Sequence, residues 1–277
     1  MASSPRSAKS EKVDARGVGP ASGLAVPVES AQGEGNWPHA DQEAGGTGSP
    51  SPKAGEFPND HSVVLVDDTK RVVFDKGTSM LQREMFIRIF SKAGIDAYKE
   101  FGIPYNPYTE TLVIDKAVVI KKDGSEIKAD IARNAMVFKS LEESDFIYVK
   151  WKTKNYYNGK LSNHFWDDTN FNSVVPMKFA RYALLVPEHF TFNSRTQGMP
   201  DAPTKRVTEE GTLFEWTVTD EPAMKLEVGM PPLNDVCKAL YISSIGSWEY
   251  LVEWYTDLAR TKTRSSFEIK EQVEKLF

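Results

Sequence analysis

The chain has 277 residues and a net charge of −5, with 40% hydrophobic, 11% aromatic and 26% charged residues, the balance of a globular protein with room for one or two domains. That charge supplies no chain-wide attraction for nucleic acid or anionic lipid, so neither is expected as a partner. The single cysteine, Cys237, excludes an intrachain disulfide framework, and four scattered histidines without cysteine partners exclude the common closed zinc sites.

No run approaches the roughly 18 to 20 apolar residues of a membrane span. The opening Met1-Ala2-Ser3-Ser4-Pro5-Arg6 is followed by no apolar stretch, so no signal peptide is visible. From Met1 to Phe57 the chain is Gly, Pro, Ser, Ala and charged residues, with Trp37 nearly alone as a large side chain. Ordering backbone costs about 1 to 2 kcal/mol per residue, and this composition buries too little to offset it. Residues 1–57 are therefore predicted to be a disordered tail, with linker chemistry from Gly45 to Pro52.

Order is predicted to begin near Asp60. His61 to Val66 reads as a strand, Asp67-Asp68-Thr69 as a turn, and Arg71 to Phe74 as a second strand. Asp75-Lys76-Gly77 supplies another turn. Met80 to Phe90 then alternates Met85, Ile87 and Ile89 against Phe86, Arg88 and Phe90, which favours a third strand over a helix. Ala93 to Phe101 is polar and leads into a Pro-Tyr turn segment at Ile103 to Tyr108. A hairpin follows, in which Leu112, Ile114, Ala117 to Ile120 and Ile127 flank Lys122-Asp123-Gly124-Ser125. Asp-Gly there suits a tight primed turn with positive φ at its central residues.

Phe146 to Thr153 alternates as a strand with Ile147, Val149 and Trp151 on one face. Further strands are predicted at Val174 to Pro176, Phe179 to Pro187, Phe190 to Phe192 and Thr212 to Val218. The sum is a mainly β fold, an antiparallel β-sandwich over residues 58–244. Residues 245–277 differ. Ser247 stands as an N-cap before Trp248, Leu251, Val252 and Tyr255 at helical spacing, and a second amphipathic helix starts at Ser266 with Ile269, Val273 and Leu276 on one face and runs to Phe277.

Several of these pieces, in this order, resemble a known family. They are His61 to Leu65, Arg83 to Phe90 leading into Gly94, Ile103-Pro104-Tyr105 and Asp123-Gly124, followed by Ala180-Arg181-Tyr182 to Val186-Pro187, Pro231 to Val236, and Ile245-Gly246-Ser247-Trp248. Together they look like the β-rich domain of unknown function that directly precedes transglutaminase-like cysteine-protease domains in bacterial multidomain proteins. The resemblance runs from about Asp60 to Phe277. It implies a non-catalytic accessory domain whose last helices lead into the catalytic domain as its partner, in a protein of the cell envelope. The nucleophilic Cys and its His and Asp partners of that family would lie downstream of these helices, so no catalytic, cofactor or metal residues are expected here. A front end without a visible signal departs from the family pattern and leaves the compartment open.

The residues themselves offer a few candidates. Cys237, in Val236 to Ile242, reads as a small buried hydrophobe, although Lys238 beside it would lower a thiol pKa. Asp167 and Asp168 follow His164-Phe165-Trp166. Adjacent carboxylates on a strand point to opposite faces, which argues against paired acid/base work, so a loop with solvated charges is the simpler reading. Aromatic residues interleaved with polar ones, Trp151, Tyr156, Tyr157, Phe165 and Trp166, form a candidate surface for stacking a sugar or gripping a peptide, with Lys150, Lys152, Lys154 and Lys160 around it. The competing reading is a sandwich core rimmed by lysines. Three functions follow as expectations: an accessory module, the leading part of a transglutaminase-like enzyme, or a carbohydrate- or peptide-binding sandwich.

Overall fold

The computed structural model describes residues 54–156, 160–260, 262 and 266–276. The expected tail lies outside them as far as Lys53, together with Trp37, and so do Tyr157 and Phe277. The strands are β1 (Ser62–Val73), β2 (Ser79–Ile89), β3 (Glu100–Gly102), β4 (Glu110–Ile120), β5 (Glu126–Lys128), β6 (Asp130–Ala132) and β7 (Ala135–Val137), then β8 (Phe146–Asn155), β9 (Trp166–Asn170), β10 (Met177–Val186), β11 (Asn193–Gln197), β12 (Thr204–Thr208), β13 (Gly211–Glu221) and β14 (Ala239–Ser243). The helices are α1 (Lys92–Tyr98), the single turn α2 (Leu233–Val236), α3 (Trp248–Arg260) and α4 (Phe267–Leu276).

The fold is mainly β. An eight-stranded sheet runs β12-β13-β10-β1-β2-β8-β4-β5, and two three-stranded sheets run β11-β14-β9 and β3-β7-β6. Alternation decides which side chains meet. On the large sheet Ile87, Ile89, Ala117, Val119, Ile147, Val149, Trp151, Tyr182, Leu184 and Trp216 share a buried cluster with Leu240 and Ile242 of β14 and with Met136 and Phe138. Both small sheets therefore cover one face of the large one. On its other face a smaller cluster of Val63, Leu65, Phe86, Val118 and Ile120 lies beneath Phe57, Phe90, Phe146 and Tyr148.

Two predicted turns come out differently. Residues 67–69 do not turn; β1 is one strand of 12 residues, paired along its length with β2 and with a register irregularity between Val64 and Val66. Asp67 and Asp68 are tolerated in mid-strand because each meets a guanidinium on a neighbouring strand. Asp67 receives both forks of Arg83, and Asp68 receives those of Arg181, which also donates to Glu215 Oε1 at 3.0 Å. At the β4–β5 hairpin, Gly124 has φ +83 and Asp123 is not in the positive region. Gly124 N donates to Lys121 O and Lys121 N to Ser125 O, which closes a type I turn followed by a left-handed glycine instead of a primed turn.

The sheets are otherwise antiparallel, but β1 and β10 pair in parallel, from Val64 opposite Met177 to Val72 opposite Leu185. A parallel pair needs a connection that leaves the sheet. Here β9, in the second layer, lies on that path between β8 and β10. The segments 174–176 and 190–192 are not strands. The polar stretch of residues 93–101 holds most of α1, capped by Ser91, whose hydroxyl accepts from Gly94 N.

Gly94 is fixed by a close approach. A Cβ there would lie 2.2 Å from the carbonyl oxygen of His61. Alanine would favour the helix by about 1 kcal/mol, but the overlap is with backbone at the start of β1. Gly94→Ala is expected to lower stability by about 1 to 3 kcal/mol, read as a lower urea midpoint at unchanged slope.

Candidate functional site

Polar side chains are concentrated between the large sheet and the β11-β14-β9 sheet. Asp67, Thr69 and Arg71 of β1 point into this layer, and all three are buried. Arg71 donates from Nε to Asp167 Oδ2 at 2.9 Å and from Nη1 to Ser79 Oγ at 3.3 Å. Tyr182 Oη donates to the same Asp167 oxygen. Ser79 N donates in turn to Asn155 Oδ1. Asp167 therefore ties β9 of the second layer to β1 and β10 of the first.

This corrects the loop reading at residues 166–168, while His164 and Phe165 precede the strand. Asp167 and Asp168 lie on β9 and face opposite sides, Asp167 inward and Asp168 outward beside Tyr241. Burial works against the Arg71 charge, but Asp167 and Tyr182 more than offset it, so its pKa rises. Burial first, and then the Asp167 charge, hold the Tyr182 phenol well above its usual range.

The folded chain keeps the Tyr182 proton where the unfolded chain loses it, so this contribution is complete below about pH 10 and falls as pH rises beyond it, by at most about 1.4 kcal/mol per pH unit. In alkaline denaturation series, Tyr182→Phe is expected to be less stable at neutral pH and to show a shallower decline above about pH 10.

Further along the same layer lies a cavity of about 270 Å³. Its floor is Val64, Asp67, Arg83, Met85 and Met177 of the large sheet, and Tyr98 of α1 closes one side. Across it stand Asn170 at the end of β9, then Asn172 and Ser173, with Met224, Asn234 and Cys237 from the segment that leads into β14. Arg83 gives Nε to Asp67 Oδ1 at 2.7 Å and Nη2 to Asp67 Oδ2 at 2.5 Å, and its guanidinium lies 5.7 Å from the Trp151 ring. Asn172 Oδ1 accepts from Lys238 N at 2.8 Å, and Met224 N donates to Ser173 O.

Cys237 is buried, and its thiol donates to Asn170 Oδ1 at 3.0 Å. Burial, with Asp235 adding to it, pushes the thiol pKa up. Lys238 does not counter this, because its ammonium pairs with Glu221. A thiol held protonated is a poor nucleophile. Iodoacetamide at neutral pH is expected to label Cys237 in the folded chain more slowly than in urea by at least about an order of magnitude, as followed by intact mass.

The aromatic candidates separate. Trp151 is 5% exposed and Phe165 1%, both within the main core, so neither offers a ring to a ligand at the surface. Phe165 instead lies beneath the Arg71 guanidinium, 5.9 Å from its ring centre. Tyr156 and Trp166 are exposed, but one follows β8 of the large sheet and the other opens β9 of a small sheet. Tyr157 lies outside the described residues. Of the lysines, Lys150 and Lys152 lie on the face away from the main core and pair with Glu84 and Asp115. Among the described residues no group of three His, Cys, Asp or Glu could hold a metal ion, and no helix is long and apolar enough to cross a membrane.

A polar layer at this place was legible only in part. Arginine and aspartate at alternate positions of apolar strands, Asp67 and Arg71 against Arg83, are the signal that carries it.

Comparison with known proteins bears on the fold. The family described as a domain of unknown function with a solved structure, DUF3857, matches residues 75–154, from the β1–β2 turn through nearly all of β8. Among solved structures the chain is similar to a protein of Parabacteroides distasonis described as a "putative protease", with a TM-score of 0.61 at 18% identity. That match covers 69% of this chain and 41% of the other, so the chain spans about two fifths of that protein's length. No curated protein matches the sequence. The chain thus shares its fold with part of a longer protein, and its residues 75–154 match a family of unknown function.

Proposed function

We propose that this chain is a non-catalytic accessory domain that works beside a transglutaminase-like cysteine-protease domain, presenting α3 and α4 to it. The observation that carries the reading is the state of those helices. Trp248 (79%), Val252 (62%) and Tyr255 (67%) of α3 are exposed, and so are Phe267, Ile269, Val273 and Leu276 of α4. Amphipathic helices gain most of their stability by burying such a face, and an apolar face left in water marks an interaction surface.

Two further points support it. Cys237 donates a hydrogen bond to an amide oxygen, and among the described residues no imidazole pairs with its thiol. The longer protein of similar fold is described as a "putative protease". That description also favours a second reading, in which this chain is the leading part of such an enzyme.

One assay tests the accessory reading. The chain alone is expected to hydrolyse no peptide and release no ammonia from glutamine peptides. When mixed with a transglutaminase-like domain from a protein that carries this fold directly before it, the chain should bind. Val252→Glu with Val273→Glu should weaken that binding by about tenfold or more. Turnover by the chain alone that is lost in Cys237→Ala would defeat the accessory reading.

A further inference from the structure

We propose that the inter-sheet cavity is a binding site for a small zwitterionic α-amino acid with an apolar side chain. The inference is independent of any docking by α3 and α4. The ionised groups on the floor are one carboxylate and one guanidinium, Asp67 and Arg83, locked together through Nε and Nη2. A lone anion or cation would meet a neutral pair. A ligand that carries both signs a few ångströms apart can lie along it, ammonium toward Asp67 and carboxylate toward Arg83.

The hydrogen-bonding capacity left over agrees. Arg83 Nη1 takes no part in the fork to Asp67. Asn172 is oriented by the Lys238 backbone N–H, which occupies its oxygen and leaves its NH₂ as a donor. Asn234 likewise spends its oxygen on Asn170 Nδ2 at 3.2 Å. Among the described residues, the groups of Arg83, Asn172 and Asn234 left over at the cavity are thus donors, the complement of a carboxylate. Each Asp67 oxygen accepts one bond from Arg83 and keeps lone pairs for an ammonium.

The remaining wall sets the side chain. Met85, Met177 and Met224 converge on the cavity with Val64, and thioether side chains adapt to apolar groups of varied shape. A volume of about 270 Å³ falls just below the range of about 300 to 1,000 Å³ that holds drug-sized ligands. It suits one amino acid rather than a nucleotide or a folded peptide.

The test is calorimetric titration of the full chain with L-leucine and L-methionine, beside 4-methylpentanoate, which lacks the ammonium, and 3-methylbutylamine, which lacks the carboxylate. One-to-one binding in the micromolar to millimolar range is expected for the amino acids, about tenfold or more weaker for each analogue, with a matching rise in melting temperature. Met224→Trp fills the cavity and leaves the ion pair untouched. Asp67→Asn with Arg83→Gln removes both charges, with an isostere at residue 67 and a shorter polar side chain at residue 83. Both variants should lose the binding, and Met224→Trp guards against misfolding of the other. Saturable binding of no amino acid, equal binding of the deaminated acid, or binding unchanged in a folded Met224→Trp variant would each overturn the proposal.

Discussion

Arg71→Ala is expected to lower the free energy of unfolding by about 3 to 5 kcal/mol, the cost of breaking a buried ion pair by removing one partner. The magnitude rests on what is left behind. Among the described residues, Asp167 would keep only the Tyr182 hydroxyl as a side-chain partner, and Ser79 would lose its contact with the guanidinium. The loss of the cation above the Phe165 ring adds to it. A control distinguishes the pair from the space it fills. Arg71→Met with Asp167→Leu removes both charges and should recover most of the loss, because apolar residues of similar volume often replace a buried ion pair at little cost. Chemical denaturation of the two variants beside the parent checks both statements. A loss below about 1 kcal/mol in Arg71→Ala would place the pair with surface salt bridges.

Trp216→Ala is expected to cost a similar amount, about 3 to 5 kcal/mol. Trp216 is buried on β13 directly opposite Tyr182 of β10, and the two rings meet edge to face with centroids 6.3 Å apart. Its indole N–H reaches the carbonyl of Asp201 at 3.4 Å, a long bond that contributes little. Packing therefore carries the loss, and Trp216→Phe should recover more than half of it. Tyr182 touches both Trp216 and Asp167, so losses at residues 71 and 216 should not add, and a double-mutant cycle should show a coupling of about 0.5 kcal/mol or more.

The strands with strong alternation are the ones the sequence discloses. In β2, β8 and β10 one side packs on the main core, and the period of two is visible in Met85, Ile87 and Ile89, in Ile147, Val149 and Trp151, and in Tyr182, Leu184 and Val186. The helices α3 and α4 are visible for the related reason that Val252 and Tyr255, like Ile269 and Val273, fall at helical spacing. What escapes is structure held by distant partners. Asp67 and Asp68 look like a turn until Arg83 and Arg181 arrive from 16 and 113 residues away. Strand β9 is polar in local sequence and becomes a strand because β14 pairs with it. Short strands such as β3, β6 and β7 carry too few residues for any period to show.

The candidate site divides along the same line. The aromatic strip gathers residues near one another in sequence, and the fold sends Trp151 and Phe165 inward, because alternation puts them on the core side of their segments. The cavity draws on β1, β2, α1, the exit of β9 and the approach to β14, so no local motif announces it. Cys237 alone was placed by its own sequence, as a buried thiol.

The accessory role is tested most directly by amide hydrogen exchange of this chain, alone and with an added transglutaminase-like domain of the kind that follows this fold. The account expects α3 and α4 to exchange fast in the free chain, because their apolar faces are in water, and to gain protection in the mixture while β1, β2 and β10 stay unchanged. Exchange in α3 and α4 that is slow from the start, or unaltered by the added domain at concentrations that saturate binding, would contradict it.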